Sequence, residues 1–354
     1  MNRRFPQVGV ALILLGQLTF AAWAQEAAIL HATESVDVPN QPAEFIISPI
    51  RCDQDQNILT RSPNSDGLDG GLIVKISRDG QKRIPFDSML ASLKKSRVID
   101  FFPAQGGGLF VLVSGEKDTE QRYYILRFDA DGSYQSKYLV PSPFRIQRIA
   151  AFPSGDFLVL GRKLPQPGSQ TSMNSDPLVG IFDIGRQAVR EVRIKGDIGP
   201  RTARGNESTR GAESGNSNAD REYESALTMS SVMLGGDGNI YLTRRSPKGP
   251  AFAISAGGRV SHTIHLVPPQ GAVLHSVQVG SRELAAEYRE FSSDGTTVLA
   301  TILELIDLHT GKVNAHFRAP LSFGSFACYQ DGREFTFLLA GESGRLKIIR
   351  AVPE

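Results

Sequence analysis

The feature that most limits what this chain can become is a strand-and-turn phrase that recurs along its length. Its clearest copy runs from Val98 to Val140. Ile99–Phe102 reads as a first strand, Gln105–Gly108 as a turn, and Leu109–Val113 as an apolar second strand. A polar loop, Gly115–Arg122, leads to a third strand at Tyr123–Phe128, a tight turn at Asp129–Gly132, and a fourth strand at Tyr134–Val140. Short β-branched and aromatic runs between Gly and Asp punctuation are the signature of hairpins.

Five further units follow the same plan. Unit one has strands at Ile47–Cys52, Ile58–Arg61, Leu72–Ser77 and Gln81–Phe86, then a short amphipathic helical turn within Asp87–Arg97, suggested by Met89, Leu90 and Leu93. Unit three starts at Arg145, unit four at Leu227, unit five at Ser276 and unit six at Ser322. First-to-second turn glycines are expected at Gly107, Gly155, Gly238 and Gly332, and third-to-fourth turn glycines at Gly80, Gly132, Gly258 and Gly311. Gln56 and Glu283 stand where such a glycine would be expected in units one and five. Gly196–Ser225 breaks the rhythm with Gly, Ser, Asn, Arg and Glu and almost no apolar residue, and reads as a mobile insertion between units three and four.

The spacing is that of propeller blades. The expected fold is therefore all-β, a single six-bladed β-propeller over residues 35–354. Unit six supplies three strands, ending in Leu346–Val352, while an orphan strand at Glu34–Pro39 precedes unit one. Pairing the orphan with Leu346–Val352 completes the last blade and hides two strand edges. Cys52 and Cys328 occupy equivalent first-strand positions of the two units that would meet at this seam. Two readings stand: a disulfide, which an even pair in an exported chain favours, or two buried thiols too far apart to bridge.

Met1–Ala24 has a charged start at Arg3 and Arg4, an apolar run at Val8–Phe20 and a small-x-small end at Ala22-Trp23-Ala24. It reads as a secretory signal peptide followed by a loose leader at residues 25–34. The apolar run is short of the roughly 20 residues that span a bilayer, and no membrane span is expected. The expected address is periplasmic or extracellular. Cleavage leaves 37 basic residues against 37 acidic ones. Such a balance supplies no field for nucleic acid. A monomer is expected.

Phrases such as Gly236-Asp237-Gly238-Asn239-Ile240-Tyr241-Leu242 and Phe128-Asp129-Ala130-Asp131-Gly132, within a match over roughly Ile47–Val352, resemble the NHL-repeat and gluconolactonase-like six-bladed propellers. That fold hosts hydrolases, lyases, dehydrogenases and pure binders, so the resemblance implies architecture rather than activity. Lactonases of this type hold a divalent metal at the channel mouth with carboxylates and an Asn from different blades. The acids here that lie in or beside first strands are Asp53, Asp55 and Asp100. Asp53 and Asp55 read equally well as turn formers. Asn64, Asp66 and Asp69 alternate oxygen side chains that suit Ca²⁺, in a run without the spacing or terminal Glu of an EF-hand loop, and a solvated loop explains them as well. No cofactor is otherwise expected.

The long connections, Ser62–Gly71, Asp87–Arg97, Lys163–Pro177 and Gly196–Ser225, all join second to third or fourth to first strands and therefore open on one face. Binding sites favour loops on a rigid scaffold. The expected function is non-catalytic binding of a protein, peptide or glycan on that loop-rich face. The alternative is a metal-dependent lactonase or hydrolase with its acids at the channel mouth.

Overall fold

A computed structural model describes residues 27–42, 47–62, 72–117, 120–141, 144–163, 177–194, 231–243 and 250–354. The signal peptide, the Gly196–Ser225 insertion, and Asn64, Asp66 and Asp69 lie outside the described residues. The chain opens with β1, Ala28–Pro42. A first four-stranded sheet follows, of β2 (Ile47–Cys52), β3 (Ile58–Ser62), β4 (Leu72–Ile76) and β5 (Arg83–Asp87). The second holds β6 (Lys94–Pro103), β7 (Leu109–Lys117), β8 (Glu120–Phe128) and β9 (Tyr134–Val140). The third holds β10 (Phe144–Ala151), β11 (Phe157–Lys163), β12 (Pro177–Asp183) and β13 (Ala188–Glu191). The fourth holds β14 (Ser231–Leu234), β15 (Ile240–Thr243), β16 (Pro250–Ile254) and β17 (Val260–His265).

The remaining strands are β18 (Ala272–Val279), β19 (Glu283–Phe291), β20 (Val298–Asp307), β21 (Val313–Ala319), β22 (Ser325–Gln330), β23 (Glu334–Ala340) and β24 (Arg345–Pro353). They join β1 in one eight-stranded sheet, in the order β18-β19-β20-β21-β1-β24-β23-β22. The ladders thus give four separate four-stranded blades in a propeller-like ring, and not the six separate ones that the repeat predicts. The cause is β1, which pairs with strands on both sides. It runs antiparallel to β24, with Ser35 opposite Ile349 and Val36 opposite Ile348, and parallel to β21 through Ala28 and Ile29.

That pairing also corrects the N-terminal boundary. Of the expected leader, residues 28–34 are strand, because Leu30 is buried and its neighbours have ladder partners on β21 and β24. Other boundaries move for the same reason. The expected loop Gly115–Arg122 is mostly hairpin, with Gly115 opposite Arg122 and Lys117 opposite Glu120. Unit five begins at Ala272 rather than Ser276. The turn within Asp87–Arg97 is a 3-10 helix at Ser88–Ala91, started by Asp87 Oδ1 accepting the Met89 N–H at 2.8 Å. It buries Ser88 and Ala91 and leaves Met89 and Leu90 exposed, the reverse of the expected apolar face.

The punctuation agrees with expectation. All eight anticipated turn glycines have φ between 68° and 95°. Gln56, in the place of one, has φ of 61°, a left-handed backbone that non-glycine residues seldom adopt. At Gly132 space is also decisive, since a Cβ there would sit 2.3 Å from the Pro85 carbonyl oxygen of the neighbouring sheet.

Apolar clusters fill the space between successive sheets. Leu59 and Ile73 of the first sheet pack with Val111 and Leu126 of the second. Leu112 and Ile125 continue into Leu158 and Val232 of the third and fourth, and Tyr241 and Ala253 meet Leu284 and Tyr288. Ile58 and Val74 close the circle against Ala327 and Ile348. The first strands of all units touch in a closed cycle, β2 to β6, β10, β14, β18, β22 and back to β2.

Polar links lock the seam. Cys52 and Cys328 form a disulfide with Cα atoms 6.0 Å apart, which joins β2 to β22 at the inner end. Further out, Arg78 pairs with Glu334 at 2.8 Å, and buried Arg350 bonds both Glu34 of β1 and the Arg78 carbonyl. The disulfide spans 276 residues of chain. Replacing both cysteines by alanine should lower stability by roughly 2–4 kcal/mol, read as a lower urea midpoint. An unmoved midpoint would show that the other seam contacts suffice without the covalent link.

Candidate functional site

The first strands meet at a buried ion pair. Arg51 is the penultimate residue of β2 and Asp100 lies in β6, and both side chains are almost wholly inaccessible. Arg51 Nη2 donates to Asp100 Oδ2 at 3.1 Å and to Oδ1 at 3.3 Å, while its Nη1 donates to the Val232 carbonyl of β14 at 2.7 Å. Asp100 Oδ2 also accepts the Ile149 N–H of β10 at 2.9 Å. One charge pair therefore joins the first strands of all four separate blades. Burial lowers the pKa of the Arg51 guanidinium from its ordinary value; Asp100 opposes that shift and nearby Arg148 adds to it. The Phe102 ring centroid lies 5.2 Å from the guanidinium carbon, within cation–π range.

β-Bulges aim these groups. The first-to-second ladders slip by one residue between Val98 and Asp100, Ile146 and Arg148, Leu274 and Ser276, and Phe326 and Cys328. A bulge re-aims the side chain that follows it, and here those side chains are Asp100, Arg148, Ser276 and Cys328. No residue pattern announces the slips, so the sequence reading found Asp100 and the cysteines but not the partnership with Arg51.

Above the ion pair opens a cavity of about 370 Å³. Its wall comes from the first-to-second turns and the adjoining strand ends: Arg51–Gln54 with Gln56, Phe102–Gln105, Met233–Gly236, Gln278–Ser281 and Tyr329–Asp331. The face is the one with short connections, which the sequence reading treats as plain. The rim is stitched by backbone. Gly236 N–H donates to the Gly280 carbonyl, and Asp331 Oδ2 accepts the Ser281 N–H at 2.8 Å. Gly236 has no alternative, since a Cβ would sit 2.6 Å from Ser281 Cα. Tyr329 donates its hydroxyl to Glu283 at 2.7 Å; burial raises its pKa, and Glu283 raises it further. Two polar atoms of the wall are buried without a partner among the described residues, Arg51 Nε and Gln330 Oε1.

The expected acids take separate roles. Asp53 lines the cavity, but its carboxylate organises its own turn, accepting the Asp55 N–H at 3.0 Å, the Asn57 N–H at 2.9 Å and Asn57 Nδ2 at 2.8 Å. Asp55 is exposed on that turn. Asp100 has both oxygens bound by Arg51, so a divalent cation there would have to displace a guanidinium and would face its charge. These two side chains do not fit the metal centre that the lactonase resemblance implies. No group of three His, Cys, Asp or Glu suited to a metal occurs among the described residues. No helix among them is long and apolar enough to cross a membrane.

No protein-family model matches the chain, and no curated protein matches its sequence. Solved structures do resemble it. A protein of unknown function from Dyadobacter fermentans is similar at 11% identity with a TM-score of 0.48, over 92% of this chain and 99% of that one. One from Bacteroides caccae is similar at 13% identity and a TM-score of 0.42, over 79% and 84%. The acylaminoacyl peptidase of Pyrococcus horikoshii is similar at 12% identity and a TM-score of 0.43; the match covers 87% of this chain and 46% of that one.

Proposed function

We propose that this chain is an exported, monomeric, non-catalytic propeller that binds a ligand in the axial cavity. The observation that carries the reading is a concave, largely apolar wall built by five different turns, with five glutamines among its lining residues. Pockets of roughly 300–1,000 Å³ with a few convergent polar groups are the usual form of small-ligand sites. Export rests on the Met1–Ala24 pattern, and the Cys52–Cys328 disulfide is compatible with it. The reading needs no cofactor. The protein, peptide or glycan class expected from the sequence is retained, with the seat moved from the loop-rich face to the turn face.

In this proposal the ring has six blades, the eight-stranded sheet serving as two. Support comes from packing: Leu303 and Phe317 of one half meet Phe335 and Phe337 of the other, and the Phe317 and Phe335 ring centroids are 5.4 Å apart. Residues of one flat sheet cannot meet face to face in this way.

The test is a ligand-observed NMR screen of a neutral fragment library against the protein and its Leu234→Trp variant, which fills the cavity. Fragments that bind the first and not the second support the proposal. Binding that ignores the added indole, or no binding at all, overturns it.

A further inference from the structure

From the chemistry of the cavity wall we infer that its ligand is a neutral saccharide of one or two rings. This rests on the binding reading above and adds the ligand class. Five of the twenty lining residues are glutamines: Gln54 and Gln56 from the β2–β3 turn, Gln105 from the β6–β7 turn, Gln278 from β18 and Gln330 from β22. A carboxamide offers a donor and an acceptor side by side without net charge. That suits adjacent hydroxyls, each of which donates and accepts. Phe102, Met233, Leu234 and Val279 supply the apolar remainder of the wall, against which the C–H face of a sugar ring can lie.

Charge argues against an anionic sugar. Arg51 at the base is already matched by Asp100. The carboxylates of Asp53 and Asp331, held at the rim by backbone N–H groups, repel an anion. Shape argues against a peptide segment. Extended peptides bind by adding to a free sheet edge or lying in a long groove. This cavity is a bowl of about 370 Å³ ringed by hairpin turns, not a groove that an extended segment could follow. A chain end would bring its own charge.

The experiment is saturation-transfer NMR with glucose, cellobiose and N,N′-diacetylchitobiose, alongside glucuronate as the charged twin of glucose and N-acetyl-tetraglycine amide as a neutral peptide. We expect saturable binding of at least one neutral sugar at millimolar or lower concentration, with glucuronate and N-acetyl-tetraglycine amide weaker. Gln330→Leu should weaken that binding at least about tenfold, equivalent to roughly 1.4 kcal/mol. Exposed Gln105 provides a second variant, Gln105→Leu, which does not touch the core and should weaken binding in the same direction. The inference is overturned if no neutral sugar saturates at roughly 10 mM, where even a binder with a millimolar Kd would be close to full occupancy. It is also overturned if glucuronate or N-acetyl-tetraglycine amide binds more tightly than every neutral sugar, or if both glutamine variants bind as the wild type does. Fragments that bind while sugars do not would remove the saccharide and leave the cavity a binding site; failure of both would remove both.

Discussion

Replacing Asp100 by alanine should cost roughly 3–5 kcal/mol of stability, because it strands the Arg51 guanidinium in the protein interior. Arg51 is only 5% exposed, and burial already lowers its pKa. With Asp100 gone, the guanidinium keeps its bond to the Val232 carbonyl but loses both carboxylate bonds, and the Ile149 N–H loses its acceptor. Arginine stays protonated near neutrality, so the charge cannot be discarded to relieve the site. The decisive comparison is with Arg51→Met/Asp100→Leu, which removes both charges and keeps the volume. That pair should recover most of the loss, since a buried ion pair replaced by well-packed apolar groups is often neutral. Urea unfolding of the three proteins measures it. An Asp100→Ala variant within about 1 kcal/mol of wild type would mean that water reaches Arg51 and that the pair is not the axial tether.

How far the sequence reveals this molecule depends on how local each determinant is. The turn glycines were legible because a left-handed backbone is a property of one residue, and Gly80, Gly132 and Gly311 all adopt it. The β1–β24 pairing was legible, and the Cys52–Cys328 bridge was one of two readings, because the repeat places the ends of the chain side by side. The merger of eight strands was not legible. It depends on Ala28 and Ile29, within the expected leader, reaching Phe317 and Arg318 of β21 in unit five. The bulges were hidden for a related reason. Ile99, Gln147, His275 and Ala327, the residues passed over at the four slips, share no side-chain type. The cavity was therefore out of reach: its polar floor needs Arg51 and Asp100 brought together from different blades. The expectation of a site among long loops also passed over the turn face, where short connections leave room for a bowl.

A chain that begins at residue 43, and so lacks β1, should fail to fold as a stable monomer. β1 buries Leu30 and Val38, the first within the cluster that holds Phe317 and Phe335, the second beside Ile58 and Ile348. Each is a loss of roughly 2–5 kcal/mol if cut back to alanine, against a total stability of roughly 5–15 kcal/mol for a whole domain. The ladder loss comes on top. Without β1, the β24 backbone from Arg345 to Pro353 becomes an open edge, and so does β21 at Phe317 and Arg318. Arg350 loses Glu34 at the same time. The Cys52–Cys328 disulfide still ties the inner end of the seam, so the truncated chain should stay compact but exchange β22–β24 amide protons quickly and associate through the bare edge. A synthetic peptide of residues 28–42 added in trans should restore slow exchange by refilling the edge, as strand addition does elsewhere. Hydrogen exchange and sedimentation with and without the peptide decide the matter. A truncated chain that remains monomeric and melts cooperatively at the wild-type temperature would show that the ring closes without its first strand. The seam would then be held without β1, by the Cys52–Cys328 disulfide and the Arg78–Glu334 pair together with side-chain packing.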